Sequence, residues 1–300
     1  MELTGIHLLL SYRCIYECDH CFVWGSPSQT GTMTLENIRQ ILNQAKQLDT
    51  VKWIYFEGGE PFLYYPIMVR GILEAAGRGY QIGVVTNSYW ATHVDDALEW
   101  LKPLAGKVQD LSISTDLYHS DQPYSVEAKI TGEAARKLNF PVSVLSVAQP
   151  DVCEVSTTKG QLQEGESGLM FRGRAAEKLA DKAQQFPWEN FNECPYEDLE
   201  QPSRVHIDPS GNVHLCQGIS LGNIYKTSLS KICSQYDPSQ NPIIGPLHLG
   251  GPKELVQRYG VAHSDTYADA CHLCYKARFL LRDQFPGILK PDQMYGIYTV

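Results

Sequence analysis

Three thiols, Cys14, Cys18 and Cys21, fall within the stretch CIYECDHC close to the start of the sequence. Their C-x3-C-x2-C spacing brings three thiolates to one point, one fewer than a structural zinc site needs. A cubane iron-sulfur cluster suits such a set, because thiolates are its usual holders and one iron can stay open to a substrate or cofactor. The alternatives are zinc borrowing a remote ligand such as His20, or three unrelated buried thiols. A second group, Cys194, Cys216, Cys271 and Cys274, has the four members that close a tetrahedral site, of iron-sulfur or zinc type. Cys153 and Cys233 join neither group and read as small buried residues.

Periodicity supplies the elements that must position these groups. GIHLLLS at 5–11 reads as a buried strand ending at the first cysteines, and Thr34 is a good N-cap for a helix carrying Leu35, Ile38, Ile41 and Leu42. VKWIYF at 51–56 is a second strand, running into Glu57-Gly58-Gly59-Glu60-Pro61. Helices near 67–77, 93–101 and 124–138 alternate with strands at 80–86, 110–115 and 141–147. A weaker sixth strand near 167–171 and a helix over AAEKLADKAQQF complete the series. Six such units predict an α/β fold with a parallel sheet and right-handed crossovers, an open partial (β/α)6 TIM-like barrel. Ligands collect at the carboxyl ends of such strands, so CIYECDHC, GGEP, Thr86-Asn87 and Ser114-Thr115-Asp116 are expected on one rim. Near residue 190 the rhythm lapses. VHI and VHL then flank the turn DPSGN as a hairpin, and a last helix carries CHLC at 271–274. The expected organisation is a barrel over 1–190 and a small cysteine-rich domain over 191–300.

C-x3-C-x2-C after the first strand, followed by GGEP after the second, resembles the radical S-adenosylmethionine (radical SAM) superfamily over about residues 5–175. The resemblance implies that Cys14, Cys18 and Cys21 hold a [4Fe-4S] cluster whose remaining iron is chelated by SAM. One electron then breaks the sulfonium C–S bond, giving methionine and a 5'-deoxyadenosyl radical that takes hydrogen from a substrate. It further implies that Gly58 and Gly59 permit close backbone approach, that Glu60 accepts from the methionine ammonium, and that Pro61 fixes the turn. His20, before the third cysteine, and Phe22 are the candidates for the ring beside adenine. Asn87, Ser114 and Asp116 match positions that contact ribose and methionine in relatives.

FRGRA at 171–175 resembles a GRA segment common in relatives with C-terminal cysteine domains; its Arg174 would pair with the SAM carboxylate or form a surface ion pair. G-x4-C at 211–216, followed by Gly222-Asn223-Ile224, resembles the opening of a SPASM domain. With too few cysteines for two auxiliary clusters, the region looks like the shortened twitch form. That form would hold one auxiliary cluster, of [4Fe-4S] type, on Cys194, Cys216, Cys271 and Cys274, for electron transfer or for fold stabilisation.

Composition narrows the partners. The 300 residues carry a net charge of -9, which disfavours a broad nucleic-acid or anionic-membrane surface and opposes a zinc-ribbon reading. MELTGIHLLLSYRC has no basic n-region and too short an apolar run to span a bilayer, so a cytoplasmic protein is expected. There, nine cysteines favour metal thiolates over disulfides. Tyr118 and His119, after the fourth strand, are candidates to move a proton or an electron. The expected function is SAM cleavage with hydrogen abstraction from a peptide or small metabolite, in an oxidation, cross-linking or rearrangement. An external low-potential donor of ferredoxin or flavodoxin type would supply the electron. The alternative is an iron-sulfur electron relay or scaffold without SAM turnover.

Overall fold

The computed structural model describes residues 1–151 and 165–297. Six strands and their connecting helices follow one another as the periodicity predicts: β1 (Gly5–Ser11), α1 (Leu35–Ala45), β2 (Trp53–Gly58), α2 (Tyr65–Gly77), β3 (Gln81–Thr86), α3 (Val94–Leu101), β4 (Asp110–Ser114), α4 (Val126–Lys137), β5 (Val142–Val147) and β6 (Gly165–Ser167). Neighbouring strands from β1 to β6 pair in parallel and in chain order. Helix α1 starts where expected: the Thr34 hydroxyl accepts from the Asn37 N–H, and the Asn37 side chain returns a bond to the Thr34 N–H.

Strand alternation gives the sheet two different faces. On one, Ile6, Leu8, Leu10, Ile54, Phe56, Ile82 and Val84 pack under Ile38, Ile41 and Leu42 of α1 and Met68 and Ile72 of α2, in a continuous apolar core. Each such side chain, fully buried, contributes roughly 1.5–3 kcal/mol. The inward face is polar, carrying His7, Tyr55, Glu57, Asp110 and Ser112. A barrel wall with a solvated inner face is left for a ligand.

After α5 (Ala175–Lys178) and the short β7 (Phe186–Pro187), the chain adds β8 (Arg204–Ile207), β9 (Asn212–Cys216) and β10 (Ile219–Asn223). The expected hairpin is β8–β9, antiparallel across DPSGN. Strand β8 pairs in parallel with the free edge of β1, giving a nine-stranded sheet in the order β10-β9-β8-β1-β2-β3-β4-β5-β6. The change of rhythm near 190 therefore marks a change of pattern within one sheet, whose core takes in Val205, Ile207 and Val213. A buried carboxylate fastens the join. Asp208 accepts from Tyr12 Oη at 3.0 Å, from the Asn212 N–H and Nδ2 at 2.9 Å each, and faces His214 Nε2 at 3.1 Å. Burial alone would raise its pKa, but the bonds from His214 and Asn212 outweigh that and hold the carboxyl below its ordinary range. Helices α6 (Leu229–Ser234) and α7 (Ile244–Tyr259), the short β11 (Thr266–Tyr267) paired with β7, and α8 (Ala270–Leu281) complete the chain.

Two expectations are corrected. The sixth strand lies at Gly165–Ser167 rather than near 167–171. The helix expected over AAEKLADKAQQF stops after Lys178, because Leu179 leaves the helical region (φ -122°) and Gln185 Nε2 donates back to the Ala180 and Ala183 carbonyls. Cys233 is buried in the core beside Ile232. Cys153 lies outside the described residues.

Candidate metal centres at the rim

The first cysteine loop leaves β1 at its carboxyl end and is pinned to the next strand ends. The Cys14 N–H donates to the Ser26 carbonyl at 3.1 Å and the Cys21 N–H to the Cys18 carbonyl at 3.1 Å. Donors point at the sulfurs themselves: Tyr16 N–H and Asn87 Nδ2 at 3.4 Å from Cys14 Sγ, and Gly25 N–H at 3.1 Å from Cys21 Sγ. Burial pushes the Cys14 thiol up to about 12 and raises Cys18 as well, and the neighbouring cysteines add to both shifts. Three thiols in one short loop, Cys14 buried and Cys18 and Cys21 half-buried, with N–H donors on two of the sulfurs, fit a multinuclear cation that would hold them as thiolates. His20 does not complete a zinc site with them. Its Nε2 is 3.9 Å from Asp116 Oδ2, and its ring packs on Tyr118 with centroids 4.6 Å apart.

GGEP and GRA turn out to be braces for this loop. The Gly59 N–H donates to the Ser11 carbonyl at 2.6 Å and the Glu60 N–H to the Arg13 carbonyl at 2.9 Å. A Cβ on Gly59 would stand 2.1 Å from the Arg13 carbonyl oxygen. The close approach expected of Gly58 and Gly59 is thus to the cysteine loop's own backbone. Gly173, at φ +60°, is pressed as tightly, for a Cβ there would meet the Phe22 carbonyl at 2.6 Å. The neighbouring Arg174 is buried rather than on the surface. Its Nη1 donates to the Cys18 carbonyl at 2.7 Å, its Nη2 to the Gly25 carbonyl at 2.8 Å, and its backbone N–H to the Cys21 carbonyl at 3.0 Å.

The other rim residues gather around the loop. Glu60 Oε1 accepts from the Phe62 N–H at 3.0 Å and Thr86 Oγ1 at 2.9 Å, and Oε2 from the Asn87 N–H at 2.8 Å. Burial nevertheless lifts its carboxyl to about 7. Pro61 starts a 3-10 turn, Pro61–Tyr64, with Glu60 as its cap. Asp116 is buried behind β4, which ends at Ser114. Its Oδ1 accepts from the Tyr118 N–H at 3.0 Å and faces His119 Nδ1 at 2.8 Å, while Oδ2 accepts from the Val147 N–H at 3.1 Å. Tyr118 Oη is engaged with the Ala148 carbonyl at 3.1 Å. His20 Nδ1 is buried without a hydrogen-bond partner, and burial lowers the imidazole to about 4. Phe22 faces away from this group, edge-on to His206 at 6.1 Å and 5.2 Å beneath the Arg172 guanidinium.

Brought from three parts of the sequence, Cys194, Cys216, Cys271 and Cys274 line one small cavity of about 30 Å³ together with Arg172, Tyr196 and Arg278. Cys216 ends β9, and Cys271 and Cys274 sit one turn apart at the start of α8. The α8 cap, Asp269, accepts from the His272 N–H at 2.7 Å and from the Phe171 N–H at 3.2 Å, joining this helix to the FRGRA segment. Burial raises Cys271 and Cys274 and pushes Cys194 up to about 12. Arg172 spans the two centres, stacking on Phe22 and reaching Cys216 Sγ at 3.5 Å and Glu197 Oε1 at 3.4 Å.

A family profile described as the radical SAM superfamily matches residues 8–151. Residues 8–151 are a radical SAM domain. Domains of this kind work with a [4Fe-4S] cluster and SAM. The radical SAM chain is similar to YydG of Bacillus subtilis, a protein named for peptide biosynthesis, at 30% identity over 133 residues, 44% of this chain and 42% of that one. It is also 30% identical over 161 residues to a Pyrococcus furiosus protein named for modifying the cofactor of a tungsten-containing aldehyde ferredoxin oxidoreductase, across 51% of this chain and 44% of that one. The match thus spans less than half the length of each of these relatives. Among solved structures, Streptococcus suis SuiB bound to precursor peptide SuiA has the same fold, with a TM-score of 0.53, 12% identity, and coverage of 90% of this chain and 76% of that one. No helix among the described residues is long and apolar enough to cross a membrane.

Sequence reasoning missed Arg172, Glu57, His7 and His206, which all face the inside of the radical SAM barrel or its second centre. A signal existed: His7 and His206 are polar residues at inward positions of strands whose other face is apolar. For Gly59→Ala the expected result is a folded barrel that fails to keep the N-terminal iron. The new methyl must displace the Arg13 backbone, at a cost of about 1–3 kcal/mol. Iron and sulfide analysis after anaerobic reconstitution checks it, and a variant with the wild-type iron content would refute the bracing role.

Proposed function

We propose that Cys14, Cys18 and Cys21 hold the [4Fe-4S] cluster that binds SAM, that Cys194, Cys216, Cys271 and Cys274 hold an auxiliary iron-sulfur cluster, and that the substrate is a peptide. The observation that carries this reading is the division of seven cysteines into a three-thiol loop at the strand rim and a four-thiol cavity beside it. When bound, the cluster and SAM supply one-electron cleavage of SAM and a radical that removes hydrogen from the substrate.

The residues of the chain would do the rest. The vacant lone pair of Glu60 Oε2 and the amide of Asn87 would meet the methionine portion of SAM, the unpartnered His20 Nδ1 and its ring the adenosine portion, and Ser114 and Asp116 the strand-end positions beside them. Pro61 and the two glycines hold that rim in place. Tyr118 and His119 stand beside His20, with ring centroids 4.6 Å and 5.3 Å from it, where they would face substrate. A four-thiolate site leaves no iron open, so the second cluster is suited to carrying away the electron left after hydrogen abstraction. Arg172 and Phe22 bridge the two centres along that route. A ferredoxin or flavodoxin type of donor would deliver the first electron.

A peptide is favoured over a small metabolite by the naming of YydG for peptide biosynthesis and by the precursor peptide bound in SuiB. The test is direct. Reconstituted protein, reduced and supplied with SAM, is expected to release 5'-deoxyadenosine and methionine in chromatography with mass detection. Cluster-loaded protein that releases none under strong reduction would favour the electron-relay reading instead.

A further inference from the structure

Three residues that the SAM reading does not use meet on the inner wall of the sheet. Strands β2 and β8 flank β1, and the registers set His7 beside Tyr55 on one side and beside His206 on the other. Glu57, the residue before GGEP, reaches back between the two imidazoles. Its Oε2 is 3.2 Å from His7 Nδ1 and its Oε1 is 3.1 Å from His206 Nε2. One ligand atom from each of the three lies within 4.8 Å of the others. Two atoms bound to one ion at ~2.0–2.1 Å stand about 3 Å apart, so the spacing suits a shared metal.

Alignment points the same way. His7 Nδ1 and Glu57 Oε2 are in hydrogen-bonding geometry, but the buried Oε1 has no hydrogen-bond partner despite the nearness of His206 Nε2. The 3.1 Å contact is off the line of a well-formed hydrogen bond, and an ion between the two atoms would be bound by both. The rings are also held from behind. His7 stacks on Tyr55 with centroids 4.5 Å apart and planes 8° from parallel, and Tyr55 Oη donates to Asp110 Oδ2 at 3.1 Å. Gly83 makes room for that tyrosine, since a Cβ there would lie 2.1 Å from its ring. Phe22 packs edge-on against His206. Such outer contacts are what orient metal-binding imidazoles.

We propose that His7, Glu57 and His206 form a binding site for one divalent transition-metal ion of the zinc class. Two imidazoles and a carboxylate are a borderline donor set that suits zinc, and three protein ligands leave a coordination position open. The side chains keep 13–18% of their surface exposed, on the polar inward face, so that position is reachable from the lumen. An oxygen of the substrate, from a carbonyl or hydroxyl, is the ligand it would take. The site stands independently of the SAM chemistry, and a failure of either leaves the other measurable.

The experiment loads both cysteine centres with iron and sulfide, adds one equivalent of zinc(II) anaerobically, and removes loose metal by gel filtration. The expected result is one zinc per chain, with X-ray absorption showing nitrogen and oxygen neighbours at about 2.0–2.1 Å and no sulfur. Glu57→Gln and His206→Asn are expected to weaken zinc at least ~10-fold while keeping the full iron content, which reports that they are folded. Zinc that does not stay on the wild type, zinc with sulfur neighbours at about 2.3 Å, or zinc kept by both iron-replete variants overturns the proposal. The wild-type measurement decides by itself should either variant lose its iron.

Discussion

Cys18→Ala protein, reconstituted and reduced in the presence of SAM, releases no 5'-deoxyadenosine above background, whereas Cys216→Ala protein still does. The asymmetry follows from the two donor sets. The rim loop offers three thiols and no substitute, because His20 is turned toward Asp116 and Tyr118. Removing a direct ligand must exceed the ~10–100-fold loss typical of removing an outer-shell partner. The four cysteines line their own cavity, reached from the rim loop through Arg172 and Phe22, so on the proposed assignment emptying it would remove an electron exit without touching SAM. Cys216→Ala should therefore uncouple the reaction, with SAM consumed and little modified substrate formed, as read by mass spectrometry of both. Undiminished cleavage by Cys18→Ala would sink the assignment of the rim loop. Equal loss in both variants would show that the centres do not act separately.

What could be read from the sequence was what is local. Strands and helices up to β5 announce themselves by periodicity, because each buries one face against the same core, and the rim follows from parallel topology alone. The cysteine loop was legible because its three ligands share one turn of chain. The His7–Glu57–His206 group was not, since nothing in the spacing of residues 7, 57 and 206 shows that β8 returns to pair with β1. Phe22 looked like a neighbour of adenine by its place after Cys21, yet successive side chains leave the loop in different directions, and it joins Arg172 and His206 instead. Glycines and arginines were the least legible. Gly58, Gly59, Gly173 and Arg174 serve backbone carbonyls of a loop elsewhere in the chain, and unmet carbonyls leave no mark in the side-chain pattern.

Arg174→Leu is the sharpest test of that last point. The guanidinium satisfies the Cys18 and Gly25 carbonyls at 2.7 Å and 2.8 Å, and its positive charge favours the thiolate of Cys18. The leucine leaves the buried Gly25 carbonyl without a donor, at about 1–3 kcal/mol, takes one of two donors from the Cys18 carbonyl, which keeps the Cys21 N–H, and removes a fixed cation from an anionic centre. Little of the loss comes from the 3.8 Å contact with Glu17, whose side chain is 59% exposed. The expected outcome is a lower melting temperature and loss of the N-terminal iron, with the four-cysteine centre still loaded. Arg174→Lys should fall between the two, since an ammonium keeps the charge but lacks the planar fork that reaches both carbonyls. A direct role toward the SAM carboxylate predicts something different: a leucine variant with its full iron content and normal stability, impaired only by a raised KM for SAM. Iron analysis and SAM kinetics on the same preparation separate the two, because a brace fails before the cofactor binds and a cofactor ligand fails after.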